Sequence, residues 1–348
     1  MKFLLTLVFT FVSCVHTRAQ SNRLYLAHYN VENLFDTIDQ AETEDSDFTP
    51  GGKLNWNSQR LTNKLNKLAQ VIGDMNLGRG PDLLGLCEVE NRSVLEALVN
   101  HMQHSKRRYS IVHEESPDPR GIDVALMYDP KKLTVLSYQV VAIHRTEQPD
   151  WRTRDVLCVS LRTLKKQRIH VLVNHWPSRR GGQEQTDPLR ASAAQVVRRL
   201  VDSLHRADPA GVVVVMGDFN DRPRDAAPAQ ILQSTASCHG GAATGLEQMM
   251  NPSVLYNPFA MIDQGNTGSY RYKDEWQFID HISVSPRACH PASRIRYVEG
   301  SAASIVFPYM LETEGKYAGN PMRTYGGEKY LGGYSDHLPV KIELNIVK

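Results

Sequence analysis

The chain has 348 residues, 41% of them hydrophobic and 22% charged, which suits a globular fold with one large core or two small ones and excludes a disordered chain. A formal net charge of +2 gives no general pull toward polyanions, so any basic surface must be local. No Pro/Ser-rich linker or charge run divides the sequence.

The N-terminal stretch carries Lys2, an apolar run over 3–12 and a polar close at Arg18, Ala19 and Gln20. This is the pattern of a secretory signal, too short to span a membrane. Residues 1–20 are therefore expected to direct export to the periplasm or the exterior, and 21–348 to form a single domain without stable membrane insertion. Cys14 fits a lipidation site poorly, because Phe11 stands three residues before it. Cys87 and Cys158 lie in strand-like runs and read as core residues. Cys238 and Cys289 lie in loops, where an exported protein permits them to bridge or to stay free.

Residues 24–29 read as a strand that runs into Asn30, Val31, Glu32 and Asn33. Leu61, Leu65, Leu68, Ile72 and Met75 then recur at spacings of four, three, four and three, which predicts an amphipathic helix over 56–75 with Ser58 near its start. Gly80 and Pro81 break it, and 83–87 is a second buried strand ending in Glu88, Val89, Glu90 and Asn91. Strands are expected at 124–128, 135–143 and 156–161. The opening order then repeats. A strand at 170–173 ends in Asn174, His175 and Trp176, and a helix follows with Asp187 as N-cap and Pro188 at its first position. The run at 212–216 is too short and too β-branched for a helix and apolar on both faces, so it reads as a strand in the middle of a sheet, ending in Asp218, Asn220 and Asp221. Further strands are expected at 278–284 and 340–347.

Parallel strands joined through a helix bring their C-terminal ends to one edge, so two strand–helix–strand units deliver four polar strand ends to a common rim. Two β-rich halves with one helix each suggest two sheets packed face to face with helices outside, and function at the rim. Glu32, Glu88, Asp218 and Asp336 stand at strand ends without cysteine neighbours, and hard oxygen donors in this number suit Mg²⁺ or Ca²⁺ rather than zinc. Each acid taken singly is more plainly a cap or a surface charge, but the set is not, because each follows or precedes a buried strand. Asp280 lies inside an apolar run, where a bare carboxylate is costly, and pairing with His337 would satisfy it.

The segments HYNVENLFD (28–36), GLCEVEN (85–91), RGIDVALMY (120–128), VNHWPSR (173–179), GDFND (217–221), FIDHI (278–282) and YSDHLPV (334–340) together resemble the endonuclease/exonuclease/phosphatase family, the DNase I-like and exonuclease III-like phosphoesterases. Their order is the family's, and they span nearly the whole chain after the signal. The resemblance implies an α/β four-layer sandwich of two packed, mostly mixed β-sheets flanked by helices. It implies Glu88 as principal metal ligand with Asn30, Glu32 and Asp336, and Mg²⁺ as the ion, with Mn²⁺ or Ca²⁺ able to replace it. It further implies Asp218 and Asn220 as the pair aligning water and phosphate, Asp280 and His337 as the dyad that stabilises the phosphate, and His175 near the leaving group. Ser178 and Arg120 are the implied phosphate contacts. The reaction implied is in-line attack of water on a phosphate ester.

Trp176, Arg179 and Arg180 follow the strand that ends at His175, and Tyr270, Arg271, Tyr272, Lys273 and Trp276 precede Asp280. Arginine with aromatics beside such a centre suits a nucleic acid, through phosphate neutralisation and base stacking. A secreted nuclease is the leading expectation. A phosphatase or a phosphodiesterase acting on phospholipids or phosphorylated small molecules is second, and a non-catalytic binding module, against which the intact acids speak, is third.

Overall fold

The computed structural model describes residues 22–102, 107–238 and 254–347. Two seven-stranded mixed sheets face each other. The first runs in the order β14 (Ile295–Tyr297), β18 (Val340–Ile346), β1 (Arg23–Leu34), β2 (Leu83–Val89), β4 (Asp123–Tyr128), β3 (Ser110–His113), with β15 (Ala303–Ser304) also on β18. The second runs β5 (Leu133–Val141), β6 (Val156–Thr163), β7 (Arg168–His175), β8 (Val212–Asp218), β13 (Asp280–Val284), β10 (Leu255–Tyr256), β9 (Ser234–Thr235). Two small hairpins, β11 (Tyr270–Tyr272) with β12 (Glu275–Gln277) and β16 (Tyr325–Gly326) with β17 (Lys329–Tyr330), project from this frame.

Alternation along each strand sorts the core into layers. Leu26, Leu126, Val171, Val214, Ile282 and Ile342 fill the seam between the sheets. Tyr29, Leu86, Leu65, Leu68 and Ile72 pack the first sheet under helix α1 (Ser58–Gly78), and Leu98 adds helix α2 (Arg92–His101). Leu172, Val213, Val215, Val197 and Val201 join the second sheet to helix α3 (Gln183–Ala207). The result is the expected four-layer α/β sandwich. The seam lies between the two sheets, so a charge placed there, as in Val214→Asp, would break the fold at its centre.

Both strand–helix–strand units are present, with β1 parallel to β2 and β7 parallel to β8. The first helix begins at Ser58, near which the sequence places its start, and is capped by Asn57, whose side chain accepts from the amides of Gln59 and Arg60. One local expectation is corrected. The second long helix begins at Gln183, because Gly181 and Gly182, at φ 97° and 115°, turn the chain before Asp187 is reached. Pro188 lies inside that helix, and Asp187 pairs with Arg190 instead of capping. Helix α2, capped by the Asn91 side chain, follows directly where the sequence reading saw only a polar strand end. The Cys238 and Cys289 thiols form a disulfide, and Cys87 and Cys158 are free and buried.

Candidate active site

Strand register assembles the rim. His175 on β7, Asp218 on β8 and Asp280 on β13 are side by side, since His175 pairs with Asp218 and Asp218 with Asp280. Facing them, Asn30 on β1 lies opposite Cys87 on β2, which places it beside Glu88. The Asn30 amide donates to Glu88 Oε1 at 3.3 Å and to Asp218 Oδ2 at 3.0 Å, tying the two sheets together. His175 Nε2 is 3.8 Å from Glu88 Oε1 and 3.7 Å from Asp218 Oδ2. Glu32, Glu88 and Asn220, at φ 51°, 61° and 50°, leave regular strand geometry through the left-handed region. Non-glycine residues hold that conformation at roughly 1–3 kcal/mol each, and such strain gathers at functional sites.

His337 and Asp336 enter from the loop before β18. His337 Nδ1 and Asp280 Oδ2 are 2.6 Å apart, the pairing expected from the sequence, and His337 Nε2 faces Asp218 and Asp336, each at 3.9 Å. Ser335 sets this loop by donating to the Asn30 carbonyl while its Oγ accepts from the His337 amide. Burial works against protonation of His337, but the adjacent Asp280 carboxylate outweighs it and holds the imidazole well above its ordinary value. His175 is driven the other way, by burial and then by Arg154, and stays neutral. Burial and the neighbouring Asp280 push Asp218 up to about 7. Burial and Asp336 push Glu32 up to about 7 as well, against the pull of Lys64.

The surplus of buried negative charge, all from oxygen ligands, is what a hard divalent cation neutralises. Glu88 and Asp336 line one cleft with Asp218, and the Asn30 side chain bonds both Glu88 and Asp218. The residues present therefore fit such an ion. Glu32 is near enough to feel the Asp336 charge but does not line this cleft, and its carboxylate accepts from the Thr324 amide at 2.7 Å and lies 3.7 Å from Lys64.

The cleft has a volume of about 790 Å³ and is lined by Arg120, Ser178, Arg180, Tyr270, Tyr272 and Lys273, besides the rim residues. Arg179 also lines it, but its guanidinium is tied to the Asn220 carbonyl and to Gln277 in the wall. Asn220 reaches the cleft with its amide bonded to the Trp176 carbonyl at 3.0 Å. Trp176 is a correction to the sequence reading, because it is fully buried against Phe219 in the core and offers no stacking face. Trp276 and Arg271 lean on each other, and Arg271 bonds Asn320, so the exposed aromatic of that hairpin is Tyr272. Sequence reasoning missed His28, Lys64 and Arg154. Arg154 is buried and bonds both Asp118 and the Trp176 carbonyl at 2.8 Å, so it braces the Arg120 loop against the strand of His175.

A family model described as Endonuclease/Exonuclease/phosphatase family matches residues 25–346. Among solved structures, humanized D. rerio TDP2 superposes with a TM-score of 0.54 at 16% identity, covering 93% of this chain and 99% of its own. An endonuclease/exonuclease/phosphatase family protein from Bacteroides thetaiotaomicron gives 0.54 at 15%, covering 92% and 94%. The human Nocturnin catalytic domain with bound sulfate gives 0.54 at 14%, covering 94% and 95%. At these identities the likeness speaks for the fold. No curated protein matches the chain.

Proposed function

The chain belongs to the endonuclease/exonuclease/phosphatase family of metal-dependent phosphoesterases, and from that premise we propose that it is an exported, Mg²⁺-dependent nuclease that hydrolyses phosphodiester bonds of DNA or RNA. The observation that carries the reading is the cleft itself, where a buried acid–histidine rim opens onto Arg120, Arg180, Lys273 and the exposed ring of Tyr272. Cations beside a stacking aromatic suit a chain of phosphates and bases. TDP2 of D. rerio has been solved with a single-strand DNA product, which supports the same substrate class at the level of fold.

Glu88, Asn30 and Asp336 would hold the ion, with Glu32 bonded to the Thr324 amide behind them. When bound, the ion polarises the phosphoryl group and steadies the leaving oxygen. Asp218, raised toward neutrality by burial, orients the attacking water and accepts its proton. His337, kept cationic by Asp280, donates from Nε2 to a phosphoryl oxygen, where charge develops. Neutral His175 presents one N–H between Glu88 and Asp218 and meets the leaving side of the ester. Arg120, Ser178 and Arg180 position the phosphate chain, while Arg179 is a wall residue that supports Asn220.

Export rests on the signal-like residues 1–20, which lie outside the described residues, and is supported by the Cys238–Cys289 disulfide, which suits an oxidising compartment. No described helix is long and apolar enough to cross a membrane. The test is hydrolysis of single-stranded DNA, RNA, sphingomyelin, phosphoinositides and a phosphomonoester under Mg²⁺. The proposal expects polynucleotides to be cut fastest. Faster turnover of a lipid or a monoester would move the substrate assignment to that class.

A further inference from the structure

The inner face of β1 reads Leu24, Leu26, His28, Asn30, so the residue that precedes the rim in this row is an imidazole where the two before it are leucines. His28 is fully buried in the seam between the sheets. Its Nε2 is 3.4 Å from Asp280 Oδ1 and 3.7 Å from the Cys87 sulfur, and its Nδ1 has no partner among the described residues. Asp280 Oδ1 is likewise a buried oxygen without a hydrogen bond among the described residues, while Oδ2 is committed to His337. The neighbouring strand makes room for the ring. Opposite His28 on β2 is Gly85, and a Cβ there would stand 3.2 Å from His28 Nδ1 and 2.6 Å from the Met216 sulfur. An imidazole in a dry seam is costlier than a third leucine unless a polar contact offsets it, and the charged group within reach is Asp280.

We infer that His28 is a positioning residue for the Asp280–His337 pair. With its proton on Nε2, the tautomer a facing carboxylate favours, it holds Asp280 Oδ1 from the other sheet and fixes the carboxylate plane so that Oδ2 stays aimed at His337 Nδ1. Asp280 is then gripped by two histidines, one from β1 and one from the loop before β18, and the orientation of His337 depends on the packing of the two sheets. The inference rests on the reading of the rim as a phosphoesterase centre.

Three variants test it. His28→Phe fills the space without a donor, His28→Gln places an N–H near the former Nε2, and His28→Asn places one on the Nδ1 side. On bis(p-nitrophenyl) phosphate with saturating Mg²⁺, His28→Phe should lower kcat roughly tenfold or more with KM little changed, the scale on which orienting partners act. His28→Gln should recover most of the loss, and His28→Asn should not. In metal-free, histidine-labelled protein, the downfield Nδ1–H resonance of His337 should shift in His28→Phe and return in His28→Gln. Wild-type kcat and resonance in His28→Phe, or equal recovery by the Gln and Asn variants, would overturn the inference in favour of simple space-filling. Should His28→Phe fail to fold, the Gln and Asn pair decides alone. Should the wild type hydrolyse nothing, the functional reading fails, and the resonance still decides whether His28 orients the pair.

Discussion

Asp280 and His337 are joined at 2.6 Å although 57 positions separate them, one opening β13 in the second sheet and the other preceding β18 in the first. Asp280 is fully buried and stands opposite Asp218 across the strand pair, so its charge is tolerated because His337 answers it. Groups that act as one unit lose function together. Asp280→Asn and His337→Ala should each cut the rate by roughly 10²–10⁴-fold, and the double variant should be scarcely slower than the poorer single. Losses that multiply in the double variant would mean that His337 works without Asp280.

His281 provides a pH signature of folding. It is fully buried, its Nδ1 is 3.1 Å from the Asn257 amide, it stacks on Phe219, and burial drives it down to about 3. The unfolded chain takes up this proton near pH 6.5 while the folded chain refuses it until about 3, so the stability involved is present above 6.5 and lost as pH falls toward 3. His281→Phe should flatten the fall of Tm between pH 6.5 and 4.5. It should also cost roughly 1–3 kcal/mol at pH 7.5, because the Asn257 amide is left unpaired. An unchanged slope would mean that other groups set the acid limit.

Thiol chemistry separates the cysteines. Burial pushes the Cys158 thiol up to about 11 and Cys87 well above its ordinary value, and Cys238 and Cys289 are bridged. The native protein, freed of residues 1–20, should show no fast-reacting thiol, and the denatured, unreduced protein two. Four thiols on denaturation would mean that the bridge does not form in the isolated protein.

Tyr272, half exposed at the cleft mouth, should act on substrate rather than on chemistry. If a base stacks there, Tyr272→Ala should raise KM for a single-stranded oligonucleotide about tenfold, within the 1–3 kcal/mol of one stack, and leave bis(p-nitrophenyl) phosphate turnover within about twofold. Equal effects on both would make Tyr272 part of the wall.

The strand–helix–strand units were legible because 212–216 is β-branched and apolar on both faces, and because Leu61 to Met75 keep a helical period that the buried face of α1 reproduces. Asp280 was legible as a pair member because an acid inside an apolar run needs a partner. Other features depend on contacts far apart in sequence. His28 opens the segment at 28–36, yet its meaning comes from Asp280 in the opposite sheet. Arg154 lies in no pattern and is defined by Asp118 and the Trp176 carbonyl. Trp176 was misjudged because proximity to His175 in sequence says nothing of direction, and its ring turns into the core. The start of α3 was misjudged because Pro188 is a strong opening signal that two glycines pre-empt.

Removing Glu88 separates site from scaffold. Its carboxylate accepts from the Asn30 side chain and the Asn33 amide within a crowd of acids, so Glu88→Ala relieves repulsion as it removes those bonds. Without Mg²⁺ the Tm of the variant should hold or rise, and Mg²⁺ should stabilise the wild type more than the variant. Equal stabilisation of both would take Glu88 out of the metal site.

A divalent-metal phosphodiesterase centre at this rim is tested by hydrolysis of bis(p-nitrophenyl) phosphate by the wild type and Glu88→Ala, each in Mg²⁺ and in EDTA. The wild type should turn over in Mg²⁺, lose that turnover in EDTA and recover it when Mg²⁺ is added back, and Glu88→Ala should show none under either condition. Turnover that survives EDTA, or a Glu88→Ala enzyme that hydrolyses the ester at the wild-type rate, would contradict it.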